Sequence, residues 1–126
     1  MQLYYDMATL EMHMEQYRAF KKSADSPGVA PQGRVEMLFL AAYHLIDACA
    51  AKKGQHINKH QNVRRELEKN PLILGERTGK VWRAFNDLQG DCRSRFVYGG
   101  RWTKEDLRIA LDAFGTIELL CLEAIG

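Results

Sequence analysis

Apolar residues recur at helical spacing through almost the whole chain. Strand-like alternation is nearly absent, and all three prolines fall between the periodic segments. Together these features predict an all-α antiparallel bundle of about five helices, with short connections joining neighbours.

Leu3, Met7, Leu10, Met14 and Tyr17 alternate in steps of four and three, so one stripe of a first helix is apolar while Asp6, Glu11, Glu15 and Arg18 point elsewhere. That helix should end near Lys22. Ser23 to Gly33 carries two prolines, two glycines and cap-prone polar residues, and reads as a loop. Helix two follows, with Val35, Leu38, Phe39, Ala42, Leu45, Ile46 and Cys49 on one face, and Gly54 ends it. A shorter helix from His60 to about Lys69 is limited by Pro71, because the residue before proline avoids the helical region. Val81, Phe85, Leu88 and Cys92 define helix four, which has to accommodate Gly79 and Gly90 and ends at Gly99 and Gly100. Thr103 and Asp106 form a capping-box-like start to helix five. Helix five is apolar on two sides, through Leu107, Ala110, Leu111, Phe114, Ile117 and Cys121 and through Ile109, Ala113, Leu120 and Ala124. Such a helix lies centrally in the bundle or in a dimer interface. Phe96, Val97 and Tyr98 are too short a run for a sheet.

A length of 126 residues fits one domain, 1–126, with 46% hydrophobic and 27% charged residues, which excludes disorder and fibrous classes. The apolar run from Met37 to Tyr43 is too short to cross a membrane, and the first residues lack the basic and apolar regions of an export signal. The expectation is a soluble cytoplasmic protein. A net charge of +2 does not by itself argue for nucleic-acid binding, although Lys52, Lys53, Lys59, Arg64 and Arg65 lie in a stretch without acids. Cys49, Cys92 and Cys121, odd in number and set among apolar neighbours, read as reduced core cysteines.

No phosphate loop, nucleophile elbow or paired-carboxylate signature is present. His56 and His60 are four apart and His44 could add a third metal ligand, but Gly54 and Asn58 argue against a helix at 56. The expectation is therefore no metal and no cofactor. More pointed is a set of polar residues inside apolar helices: Tyr43, His44 and Asp47 on helix two, with His44 and Asp47 within reach of each other, and Arg93, Arg95 and Tyr98 at the end of helix four. If Arg93 faces the bundle, its guanidinium needs an acceptor such as Asp47 or a bound phosphate.

From Ala41 to the C-terminus, about two thirds of the chain, the sequence resembles small stand-alone prokaryotic members of the HEPN superfamily (higher eukaryotes and prokaryotes nucleotide-binding). The matching pieces are Ala41-Ala42-Tyr43-His44, then Ala50 and Gly54, His60 with Val63, Leu88, the Arg93-Ser94-Arg95-Phe96-Val97-Tyr98 block, and Thr103-Lys104-Glu105-Asp106. The resemblance implies an up-and-down four-helix core plus a short helix, with Arg93 and Arg95 meeting a nucleotide or RNA phosphate in a cleft lined by Tyr98, His44 and Asp47. It also implies a homodimer, with helix 103–124 as a candidate interface, and a nucleotidyltransferase partner that in similar proteins modifies a tyrosine such as Tyr98. Family members that cleave RNA without metal carry a histidine separated from the arginine by four to six residues. Here Tyr98, Gly99 and Gly100 follow, and no histidine comes later. A tyrosine, with an ordinary pKa of about 10, is a poor base near neutrality. Binding without efficient turnover is thus the leading expectation. A metal-independent RNase toxin of a toxin–antitoxin pair and a protein-interaction module docking an acidic partner on the Lys52–Arg65 face are the alternatives.

Overall fold

The computed structural model describes residues 2–126, and side chains from position 9 onward. The first stripe positions, Leu3 and Met7, and the polar Asp6 between them lie outside the described side chains. Helix α1 (Gln2–Ala24) is followed by α2 (Pro31–Lys52), the short α3 (Val63–Lys69), α4 (Thr78–Asn86), α5 (Arg93–Phe96) and α6 (Lys104–Ile125). A π-helical stretch, Asp87–Cys92, joins α4 to α5 around Gly90, so the two form one rod. Four long rods and one short helix result, with no strand among the described residues.

Helix α2 begins two residues before the predicted end of the loop. Pro31 takes its first turn, where the missing N–H costs nothing and the ring presets the backbone. Gly54 closes α2 with φ +71, a conformation that L side chains rarely adopt.

Register shows the up-and-down arrangement. His13 meets His44 across a short loop, so α1 and α2 are antiparallel. The Cys49 thiol donates to the Cys121 carbonyl and Lys52 to the Ile125 carbonyl, so α2 and α6 run parallel. Arg77 pairs with Glu123, which sets α4 antiparallel to α6. Tyr17 donates to Glu118 at 2.6 Å and ties α1 to α6.

The central rod is α2, with Val35, Leu38, Phe39, Ala41, Ala42, Leu45 and Ile46 buried. The first stripe of α6 contributes Ala110, Phe114, Ile117 and Cys121 to the same core, while the second is divided: Ala113 is buried and Ile109 is 38% exposed. All three cysteines are free and buried. No helix among the described residues is long and apolar enough to cross a membrane.

The capping box forms as the spacing predicts. Thr103 Oγ1 accepts from the Asp106 N–H at 3.1 Å, and the Asp106 carboxylate accepts from the Thr103 N–H at 2.8 Å. Replacing Thr103 with alanine should cost about 1 kcal/mol, read as a lower urea midpoint with an unchanged slope.

Candidate functional site

One edge of α2 carries Glu36, Tyr43, His44 and Asp47. Asp47 is the buried charged residue of the described chain, 1% exposed. Its Oδ1 accepts from the Ile57 N–H at 3.0 Å, while the Tyr43 hydroxyl donates to the Ile57 carbonyl at 2.7 Å. Both polar groups of one loop residue are thereby fastened to α2, which satisfies buried backbone and fixes the segment between Gly54 and His60.

His44 and Asp47 are joined through a third residue. Nδ1 of His13 lies 3.0 Å from Nδ1 of His44, and Nε2 of His13 lies 3.2 Å from the Asp47 carboxylate. The His56 ring adds a 3.6 Å approach from the loop. His13, on a helix whose chemistry the sequence left unread, is the hub of this cluster. Its only signal was a polar ring one position from the apolar stripe.

Desolvation raises the Asp47 carboxyl and lowers the His13 imidazole, partly offset in each case by their mutual attraction. Burial, and then the charge of His13, hold His44 down at about 4. A folded imidazole below its unfolded value binds its proton more weakly, so this stabilisation is present above pH 6.5 and is lost as pH falls through about 4. His13 acts in the same direction and Asp47 in the opposite one. Urea unfolding should show stability falling between pH 7 and pH 4, and His44→Phe should flatten that part of the profile.

Arg93 does not meet Asp47. Its Nε and Nη2 donate to Glu36 at 3.0 and 3.1 Å, a bidentate pair across α5 and α2. The guanidinium lies 4.2 Å above the Phe39 ring and 5.4 Å from that of Tyr98. Of its five N–H groups, Glu36 occupies two and leaves the second edge of the fork. The Arg93 side chain is 13% exposed, whereas Tyr98 is 69% exposed. The two N–H groups of Val97 and Tyr98 both bond the Arg93 carbonyl, and Gly99 turns the chain at φ +83. A Cβ at Gly100 would lie 2.7 Å from the Arg95 backbone, so the glycine pair lets the turn fold onto the helix end and present Tyr98.

The histidine beside Arg93 is His60. Its Nδ1 is 3.1 Å from the Gln89 amide nitrogen and its ring stands edge-on to Phe39 at 5.2 Å. Burial, and secondarily the Arg93 charge, lower its pKa. His44 belongs instead to the Asp47 cluster. Arg95 is also drawn away, pairing with Asp106 at the start of α6, where Asp87 and Asp91 line the same hollow. The single cleft expected from Arg93, Arg95, Tyr98, His44 and Asp47 is therefore three places: Arg93 with Tyr98, His44 with Asp47, and Arg95 alone. What separates them is the choice of carboxylate, since Glu36 sits about three turns before Asp47 on α2.

No protein family, curated protein or solved structure matches the chain. The chemistry of these places is argued from their residues.

Proposed function

We propose that this is a HEPN-like helical domain that binds a nucleotide or RNA phosphate at Arg93 and Tyr98. The observation that carries this reading is the half-used guanidinium beside an exposed aromatic ring. A phosphate takes the free edge of the fork, and a base stacks on Tyr98, as bases do on aromatic platforms in single-stranded RNA recognition. Glu36 holds the arginine in place and tempers its affinity. The contribution of Arg95 is reduced to long-range charge, because Asp106 holds it. Exposed Leu119, Leu122 and Ile109 on α6 suit a second copy of the chain, and Tyr98 is open to a modifying nucleotidyltransferase.

Fluorescence anisotropy with a labelled single-stranded RNA tests the reading. Tyr98→Ala should weaken binding by about 1–3 kcal/mol, the loss of one base stack, and leave folding intact because the ring is exposed. Equal affinity of the two proteins would oppose it.

His60 favours one second reading, a metal-independent RNase. It supplies near Arg93 the imidazole that is missing after the arginine, and it acts as a base once the Gln89 side chain turns to accept from Nδ1. An RNA time course in EDTA should then yield cyclic-phosphate ends, lost in His60→Ala.

A further inference from the structure

The second place on α2 has a chemistry of its own. Three side chains from three segments converge there: His13 from α1, Asp47 from α2 and His56 from the loop after Gly54. Their ligand atoms all lie within 4.8 Å of one another. Nε2 of His13 is 3.2 Å from one carboxylate oxygen of Asp47, and Nδ1 of His56 is 3.6 Å from the other. Zinc bonds of about 2.0–2.1 Å in a tetrahedron set neighbouring donors roughly 3.4 Å apart. Each imidazole already stands near that distance from the carboxylate, one from each oxygen, and the whole set lies within 4.8 Å. His56, whose side chain is 55% exposed, is free to move closer.

We propose that His13, Asp47 and His56 bind one divalent cation of the zinc class. Two imidazoles and a carboxylate form a donor set suited to zinc. The surroundings call for positive charge, because Asp47 is buried and, among the described residues, its ion-pair partners are the imidazoles of His13 and His56. A buried carboxylate without a cation is costly. His44 completes the arrangement as a positioning residue. With the cation on Nε2 of His13, the ring proton sits on Nδ1 and is donated to Nδ1 of His44, the kind of outer partner that orients a metal-binding histidine. Without the cation the chain runs the other way, from His44 to His13 to Asp47. Loading moves the ring protons of His13 and His44, each to the other nitrogen of its ring. Three protein ligands leave a fourth position for water, and a hollow of about 350 Å³ lined by Met12, His13, Glu15, Gln16 and His44 opens beside the cluster.

The sequence expectation of no metal weighed His44, His56 and His60 together. The structure groups His56 with other partners. The site is independent of the phosphate reading, because Arg93 and Tyr98 take no part in it.

The test is calorimetric titration of zinc into the full, untagged chain and its His56→Ala variant. His56 is exposed, so its loss leaves the fold standing. One zinc per chain is expected, with affinity at least about tenfold weaker in the variant, and the wild type alone should melt at a higher temperature with zinc. Cobalt in place of zinc should give the strong visible bands of a four-coordinate site. The absence of stoichiometric binding, or equal affinity in the folded variant, would overturn the proposal.

Discussion

Asp47→Ala should cost about 3 kcal/mol of folding stability, the largest single loss expected in the chain. The carboxylate is 1% exposed and serves the Ile57 N–H and the His13 ring. Truncation leaves the N–H of a residue that is itself 1% exposed without an acceptor. An unmet buried donor costs about 1–3 kcal/mol, and the lost partner of His13 adds to it. Asp47→Asn keeps the shape and one acceptor oxygen for Ile57, so it should cost only about 1 kcal/mol. Urea denaturation of the two variants separates the roles. Equal losses would mean that the charge, and not the bond to Ile57, is what stabilises the loop.

Arg93→Ala should affect both folding and binding. Its bidentate pair with Glu36, 29% exposed at the carboxylate, and its stacking on Phe39 are worth about 2 kcal/mol together. RNA affinity should fall at least about tenfold, equivalent to 1.4 kcal/mol. Arg93→Lys is informative beside it. A lysine keeps the charge and loses the fork, so it should recover little of the affinity if the phosphate is held by two parallel bonds. Circular dichroism of each variant keeps loss of binding distinct from loss of fold.

The bundle was legible because helices announce themselves in apolar spacing and in caps: the Thr103 and Asp106 pair, the stop at Gly54 and the interruption at Pro71 all fall where local chemistry puts them. Polar residues inside α2 and at the end of α5 were legible as unusual for the same reason. Their partners were not. Which carboxylate Arg93 takes depends on how α5 docks along α2, a tertiary register that periodicity does not encode, and nothing in the sequence singled out Glu36. His13 was missed, and so was the nearness of His60 to Arg93, on similar grounds. His13 lies thirty-one residues from the ring it meets, and His60 follows a loop whose path is set by Asp47 and Tyr43. The two apolar sides of α6 were read as marking either the centre of the bundle or a dimer interface, and α2 with its run of small residues is the rod that the others surround.

The most direct test of the phosphate site is RNA binding by the Glu36→Gln variant against wild type. A glutamine still accepts from the guanidinium but removes one negative charge from the place where a phosphate would come, an effect of roughly 1 kcal/mol at about 4 Å in water. The account predicts tighter binding, by about fivefold, in a protein slightly less stable than wild type. Unchanged or weaker binding by the folded variant would contradict it and leave the Arg93 and Glu36 pair as a packing device.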